Sequence, residues 1–206
     1  MMTTLILPGA VAAYLLGSVS FSWIVVRLKK GIDVRSLGSG SAGSTNVLRA
    51  AGPGTAVLVL VMDLTRAGLV GWITGYFYVD CGRSVLLWPC ALLAGNVLPI
   101  FHRFKGGKGV ALSIGVFLGL APLVGIIGLG VWLLGFFVSA RRSSVGSLSM
   151  MFSYPVAAFL LDESFDLVLL ALIFAAGVFV THRQNLARLL RGEEPSLDFT
   201  RKPHDD

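Results

Sequence analysis

Five stretches of this 206-residue sequence are long, apolar and free of charged residues. A helix needs about 20 mostly apolar residues to cross the hydrocarbon core of a bilayer, and several stretches approach or exceed that length. Only 14% of the residues are charged, which excludes an ordinary soluble domain. The sequence therefore predicts an all-α fold, a polytopic membrane helix bundle. The stretches are Leu5–Val26, Ser84–Phe101, Gly109–Ala140, Ser143–Leu161 and Leu167–Thr181.

A sixth apolar stretch, 51–79, contains Asp63 and Arg66, which are three residues apart and can pair on one helix face. We interpret it as one long, tilted helix, with two half-helices meeting at this pair as the alternative. Stretch 109–140 would be about 48 Å long as one helix, against a core of about 30 Å. Pro122 predicts a break near Ala121, and hence an out-and-back pair. The total is about seven transmembrane helices.

The distribution of basic residues orients this arrangement. Of the 17 Lys and Arg residues, 15 fall on one side, while Arg83 lies in an outer loop and Arg66 within a span. Basic loops stay in the cytoplasm, so we expect an outer N-terminus, an inner C-terminus and an active site that faces the cytoplasm from the inner membrane. Membrane lipids, and no nucleic acid, are the partners that this charge pattern predicts. Residues 1–192 form the membrane domain, and 193–206 a polar C-terminal tail that we expect to be frayed.

The first polar segment on the basic side, 38–46, is rich in glycine and hydroxyl residues, and Arg49 follows it. Glycines let successive backbone N–H groups face an anion, and an arginine guanidinium can bind two phosphate oxygens at once. A flexible linker is the alternative interpretation. The predicted ligand-binding residues here are Ser39, Gly40, Gly43, Thr45 and Asn46, with Arg49.

The second segment, 99–109, has Lys105 and Lys108 on either side of Gly106 and Gly107, directly before an apolar helix. Lysine charges, free N–H groups and the positive helix end all favour phosphate. The strand and the Ser/Thr of a nucleotide-binding P-loop are missing, so ATP is not implied. A basic loop that serves only membrane orientation is the alternative.

The third segment, 181–185, places His182 and Asn185 on one helix face, with Arg188 next along it. Histidine could act as a base near neutral pH, although a lone interfacial histidine is the alternative. Ser143 and Ser144 lie on the same side and could donate hydroxyl hydrogen bonds. The sequence has neither a Gly-x-Ser-x-Gly elbow nor a His/Cys metal pattern, so we expect no cofactor, no metal and no covalent enzyme intermediate.

Taken together, three blocks resemble the bacterial acyl-phosphate:glycerol-3-phosphate acyltransferases, in order and spacing over nearly the whole chain. The blocks are Gly38-Ser39-Gly40 with Gly43-Ser44-Thr45-Asn46-Val47-Leu48-Arg49, Phe104-Lys105-Gly106-Gly107-Lys108-Gly109-Val110-Ala111, and His182-Arg183-Gln184-Asn185. The resemblance implies transfer of a fatty acyl group from acyl phosphate to the first hydroxyl of glycerol 3-phosphate, giving lysophosphatidic acid and phosphate. It also implies seven spans, and the enzyme that supplies acyl phosphate as a possible partner. This chain departs from the family at Asn96, where a histidine is usual after the glycine.

The expected mechanism is direct attack of the glycerol hydroxyl on the acyl-phosphate carbonyl. Arg49, Lys105 and Lys108 would neutralise phosphate, and either His182 or a substrate phosphate would take the proton. By the resemblance, Asn185 completes the catalytic set, and Asn96 lies with the substrate-binding residues. Two alternatives remain at this stage: a diverged acyltransferase for another phosphorylated alcohol, and a non-enzymatic transporter or binding protein for an organic phosphate.

Overall fold

The computed structural model describes residues 2–38 and 40–197, and within these ranges the chain folds into helices without strands. The predicted all-α class is confirmed. Short 3₁₀ helices at Met2–Leu5, Val34–Ser36, Gly82–Leu86 and Ile100–His102 connect the longer elements. The α-helices are α1 (Ile6–Ser18), α2 (Phe21–Lys30), α3 (Ser44–Ala51), α4 (Pro53–Cys81), α5 (Leu87–Val97), α6 (Val110–Leu120), α7 (Pro122–Val138), α8 (Ser143–Leu160), α9 (Phe165–Thr181) and α10 (Arg183–Leu190).

Three helical stretches of the described chain are long and apolar enough to cross a membrane: Ile6–Lys30, Pro53–His102 and Ser143–Leu160. A fourth is added if α9 and α10, which meet at a bend of 64°, count as one span. Helices α6 and α7 are apolar but shorter. The number seven therefore stays a prediction.

The predicted break in the long stretch 109–140 is confirmed, because α6 ends at Leu120 and α7 begins at Pro122. Proline is well tolerated in the first turn of a helix, where its missing N–H leaves no hydrogen bond unmade. After the break α7 packs tightly against α6: a Cβ atom placed on Gly125 would lie 2.7 Å from the backbone nitrogen of Leu118. Proline and glycine thus produce the out-and-back pair.

Helix α4 is continuous over 29 residues, so the alternative of two half-helices is wrong. It begins at Pro53, two residues later than the apolar stretch, because Gly52 has a positive φ of 80° and separates α3 from α4. The predicted pair on one face is present: Arg66 Nη2 lies 2.6 Å from Asp63 Oδ1, and both side chains are buried.

The predicted first span, Leu5–Val26, lies within the candidate span Ile6–Lys30, but its helix is not continuous, because the chain breaks at Val19–Ser20 between α1 and α2. The Ser20 hydroxyl accepts a hydrogen bond from the Trp23 N–H and so caps α2. At the end of α1, Arg66 of α4 donates hydrogen bonds to the carbonyls of Leu16 and Val19. The buried arginine thereby supplies a partner for the Val19 carbonyl at the break, and a second partner for the Leu16 carbonyl, which also accepts from the Val19 N–H.

Contacts between the helices fix their relative directions. Lys29 bonds Thr55 while Arg66 reaches back to Val19, so the α1–α2 unit is antiparallel to α4. Successive long elements continue to alternate in direction up to α9, whose last residue, Thr181, bonds the Lys108 carbonyl. This alternation brings the polar connections 31–52, 98–109 and 139–142 and the segment after α9 to one end of the bundle.

Close packing of α4 against α6 depends on small residues, as is common between membrane helices. A Cβ atom on Gly119 would clash with the Gly68 carbonyl oxygen, whereas one on Gly130 of α7 would meet nothing within 4 Å.

We expect Gly119→Ala to destabilise the protein by about 1 to 3 kcal/mol through overpacking. Gly130→Ala should be neutral or slightly stabilising, because alanine is the better helix former. Thermal unfolding in detergent compares the two, and equal midpoints would contradict this account of the packing.

Candidate active site

A cavity of about 660 Å³ opens at the polar end of the bundle and is lined by all three predicted segments. Their co-location was the central expectation from the sequence, and the fold brings them together. The predicted residues that line the cavity are Gly43, Thr45, Asn46, Arg49, Asn96, Gly107, Lys108, Ser143, Ser144, His182 and Asn185.

Three predicted residues are not among those that line the cavity: Gly40, Lys105 and Gly106. Lys105 is exposed, and its carbonyl accepts a hydrogen bond from Arg35 at 3.2 Å. Its predicted catalytic role therefore has no geometric support in this arrangement. Ser39 lies outside the described residues.

The first and second segments meet through their backbones. The Gly107 N–H donates to the Asn96 carbonyl at 2.9 Å, and the Ala42 N–H donates to the Gly106 carbonyl at 3.4 Å. A Cβ atom on Gly107 would lie 2.9 Å from the Ala42 oxygen and 3.0 Å from Asn96 Oδ1. Glycine is required here because the two chains approach closely, and this packing fixes the backbone directly before Lys108.

The side-chain amide of Asn46 bonds to the backbone just before the first segment. Its Nδ2 donates to the carbonyls of Val34 and Leu37, at 2.7 and 3.0 Å. The turn in front of α3 is thereby fixed, and α3 carries Arg49 to the cavity wall. Burial lowers the pKa of Arg49, yet an arginine starts from so high a value that it stays charged at neutral pH.

A chain of short hydrogen bonds runs through the polar end of the cavity. Lys108 Nζ donates to Asn185 Oδ1 at 2.6 Å, and Asn185 Nδ2 donates to Glu194 Oε1 at 2.6 Å. Arg188 Nε donates to the other carboxylate oxygen, Oε2, at 2.7 Å. Burial lowers the pKa of Lys108 to about 8, and the charges of Arg188 and Arg49 act in the same direction. The ammonium form therefore still predominates at pH 7 and is lost as the pH rises above 8.

Glu194 is a site residue that the sequence did not predict. The expectation of a frayed tail is wrong for residues 193–197, since Arg142 donates to the Glu194 carbonyl and the Leu197 N–H donates to the Arg141 carbonyl. The available signal was the acidic pair 193–194, which comes shortly after Arg188 and Arg191 and so invites pairing. The division at 192/193 remains a prediction, and residues 198–206 lie outside the described part of the chain.

His182 is buried at the junction of α9 and α10, where its Nδ1 lies 2.9 Å from the Val178 carbonyl. A carbonyl can only accept, so Nδ1 carries the proton and Nε2 is left as an acceptor. Burial lowers the pKa of His182 to about 4, and the nearby charge of Lys108 adds to the effect. The imidazole is therefore neutral at pH 7.

Away from the polar end, the cavity wall becomes apolar and extends between α4, α6 and α7. The apolar lining residues are Leu60, Leu64, Leu112, Ile114, Leu118, Leu129 and Trp132. A pocket with cations at one end and aliphatic side chains at the other suits a phosphate that is attached to an apolar chain. Within residues 2–38 and 40–197 no group of three or more His, Cys, Asp or Glu is placed to hold a metal ion.

The fold and the cavity define a class: a helical membrane protein with a cavity that is cationic at one end and apolar at the other. A family model of glycerol-3-phosphate acyltransferase matches residues 7–192. The chain belongs to the glycerol-3-phosphate acyltransferase family, as the sequence blocks predicted, and it is therefore an acyltransferase.

Individual relatives support this assignment. The chain is 40% identical to the glycerol-3-phosphate acyltransferase of Thioalkalivibrio sulfidiphilus over 90% of each chain, and 37% identical to that of Rhizobium etli over 93% of this chain and 91% of the relative. The fold is similar to the crystal structure of PlsY (YgiH), an integral membrane glycerol 3-phosphate acyltransferase, in its glycerol 3-phosphate form. The TM-score is 0.85 at 34% identity, over 94% of this chain and 96% of that one. A lysophosphatidic acid form of the same protein gives a TM-score of 0.82.

Two adjacent glutamates offer a matched test of the hydrogen-bonded chain. Glu194 is buried with Asn185 and Arg188, whereas Glu193 pairs with Arg191 at the surface. We expect Glu194→Gln to lower the free energy of unfolding by about 1.5 to 3 kcal/mol, because it removes a charge-assisted hydrogen bond to a buried group. Glu193→Gln should change it by less than about 1 kcal/mol. Denaturation in detergent measures both, and equal losses would contradict the structural role of Glu194.

Proposed function

We propose that this protein transfers a fatty acyl group from acyl phosphate to the first hydroxyl of glycerol 3-phosphate, releasing lysophosphatidic acid and inorganic phosphate. The observation that carries the proposal is the convergence of Arg49, Lys108 and Arg188 at the polar end of a cavity whose other end is apolar. Both substrates bear phosphate, and one bears an acyl chain. An enzyme that makes acyl phosphate is the expected supplier of the donor.

The glycerol hydroxyl is the nucleophile, so the protein need not supply one. Its oxygen bonds to the acyl carbon, the bond from that carbon to the phosphate oxygen breaks, and the electron pair leaves with phosphate. Cations around the phosphates neutralise the charge that grows on the leaving group. The remaining contribution is alignment of the hydroxyl with the carbonyl, which in well-oriented systems accounts for a large part of the barrier reduction.

The geometry of His182 favours a positioning role for its ring. Nε2 is unprotonated and can accept a hydrogen bond from the attacking hydroxyl, while Nδ1 is held by Val178. With a pKa of about 4, the ring is a weak base at neutral pH. The departing phosphate is the better proton acceptor, and the hydroxyl proton ends there.

The orientation proposed from the sequence is kept. Seven passes with an outer N-terminus place the polar end of the bundle at the cytoplasmic face of the inner membrane, where water-soluble glycerol 3-phosphate can enter. In a variant with both native cysteines replaced by serine, Ser196→Cys should stay unlabelled by an impermeant thiol reagent in intact cells and react in inverted vesicles. Labelling in intact cells would refute this orientation.

The decisive experiment measures phosphate release from a long-chain acyl phosphate by purified protein. We expect release to require glycerol 3-phosphate and to match lysophosphatidic acid in a one-to-one ratio. Release that does not depend on glycerol 3-phosphate, or that depends equally on another phosphorylated alcohol, would overturn the substrate assignment.

The pH dependence of the same assay tests Lys108. Because its pKa is about 8, the ammonium form is present below pH 8 and is lost as the pH rises. We expect kcat/KM for glycerol 3-phosphate to fall above pH 8, since an uncharged amine binds phosphate poorly. Lys108→Arg keeps its charge throughout and should flatten this limb even if its maximum is lower. An unchanged limb in that variant would assign the pH dependence to another group.

The role of His182 is tested with His182→Gln, which keeps a hydrogen-bonding amide but has no base. If the ring only positions the hydroxyl, the single-turnover rate should fall about fivefold, the value of one neutral hydrogen bond. General-base catalysis is worth about a hundredfold or more. A loss of that size, with the acidic limb of the pH profile removed, would show that His182 takes the proton.

A further inference from the structure

A second cavity, of about 490 Å³, lies where the break between α1 and α2 faces the short helix Ile100–His102. It shares no lining residue with the catalytic cavity, and the acyl transfer derived above does not use it. Its lining residues are Val19, Trp23, Ile24, Arg35, Phe101, His102 and Arg103.

The lining combines lipid-like and anion-binding chemistry. Val19, Ile24 and Phe101 supply an apolar surface, and Phe101 is 59% exposed. The indole of Trp23 packs against the ring of His102, with centroids 5.0 Å apart. Tryptophan beside basic residues is typical of the boundary between acyl chains and headgroups. Arg103 is exposed, so its guanidinium is accessible.

The charge of this cavity selects among phosphate ligands. Arg35 is paired with Asp33, with Nη2 2.6 Å from Oδ2 and Nε bonded to both carboxylate oxygens. An imidazole is mostly uncharged at pH 7, so His102 adds little to the charge of the cavity. Arg103 therefore provides the net charge of one, which complements a monoanion better than a dianion. A phosphodiester carries one negative charge, while a free phosphate or a phosphate monoester carries nearly two.

We propose that this cavity binds the headgroup of an anionic phosphodiester lipid, with Arg103 on the phosphate and Trp23 and Phe101 against the glycerol backbone and upper acyl chain. Basic pockets at the cytoplasmic side of membrane proteins bind anionic headgroups in this way. Phosphatidylglycerol is the simplest lipid with this chemistry. The assignment rests on the orientation proposed above, and not on the acyl-transfer reaction.

Arg35 connects this cavity to the second segment, 99–109, which carries Lys108. Its Nη1 donates to the carbonyl of His102 at 3.1 Å and to that of Lys105 at 3.2 Å. Lys105 directly precedes the glycine pair that packs against Asn96. A lipid held by Arg103 and Trp23 would restrain the same turn, so it could stabilise the loop that presents Lys108.

The test is lipid binding by native mass spectrometry, on purified protein in neutral detergent without either substrate. We expect short-chain phosphatidylglycerol to be retained in preference to phosphatidylcholine and phosphatidic acid, and inorganic phosphate not to displace it. Arg103→Gln should weaken phosphatidylglycerol binding about fivefold, the usual value of one basic residue near an anionic membrane surface. Arginine and glutamine at position 103 would both adopt the same positive φ of 54°, so backbone strain does not confound the comparison of wild type with Arg103→Gln.

Matched variants locate the site. Lys30→Gln removes one exposed positive charge from the same end of the bundle and should leave binding unchanged, as should Lys108→Ala in the catalytic cavity. Equal loss in Lys30→Gln would reduce the effect to general surface charge, and loss in Lys108→Ala would place the lipid in the catalytic cavity. Displacement by inorganic phosphate, or preference for phosphatidic acid, would also overturn the proposal. Because no turnover is measured, these outcomes are independent of the acyltransferase assay.

Discussion

Glu194 lies among three cationic side chains at the polar end of the cavity, and the charge balance of this cluster determines what can bind there. Lys108, Arg49 and Arg188 carry three positive charges against one carboxylate. Two positive charges are therefore uncompensated in a partly buried site, where charges interact more strongly than in water. Burial is the main cause of the lowered pKa of Lys108, and repulsion from Arg188 and Arg49 adds to it. A phosphate dianion cancels the excess, so phosphate binding would relieve the repulsion between these cations.

Asn185 links the lysine to the carboxylate. Its side-chain oxygen accepts a hydrogen bond from Lys108, and its side-chain nitrogen donates one to Glu194. The lysine is thereby held at the cavity wall without a direct ion pair to the carboxylate, and its charge remains available to a ligand. A direct pair would neutralise the ammonium that the substrate needs. A reaction whose nucleophile comes from the substrate gains most from such fixed geometry. The close approach of Gly107 to Ala42 and Asn96 serves the same end, since it leaves the backbone before Lys108 little freedom.

The parts of this structure that follow from local chemistry could be predicted from the sequence. Pro122 marks the break between α6 and α7, and the spacing of Asp63 and Arg66 predicts their pairing. The break at Val19–Ser20 was missed because no proline or charged residue marks it, and Arg66, which bonds the Val19 carbonyl, is 47 residues away in sequence. Glu194 was missed for a related reason: a polar, proline-containing tail has the composition of a disordered segment, and only the folded bundle supplies Asn185 and Arg188 as partners. Lys105 and Lys108 are equivalent by pattern, yet in the fold Lys105 is exposed and Lys108 lines the cavity.

Asn96 shows how the fold separates structural from chemical requirements at one position. The contact that holds the second segment is made by its main-chain oxygen, which accepts from the Gly107 N–H whatever the side chain is. An asparagine at a position where the resembling enzymes usually have histidine can therefore preserve the loop and change only the chemistry of the cavity wall. Among the described residues that line the cavity, His182 is then the one that carries an imidazole, and burial keeps this ring neutral. An imidazole with a pKa of about 4 and an amide at position 96 are both weak proton acceptors. Acyl phosphate, the proposed donor, does not require a stronger one, because the phosphate that leaves gains a basic oxygen as the carbon–oxygen bond breaks, beside the hydroxyl whose proton must be taken.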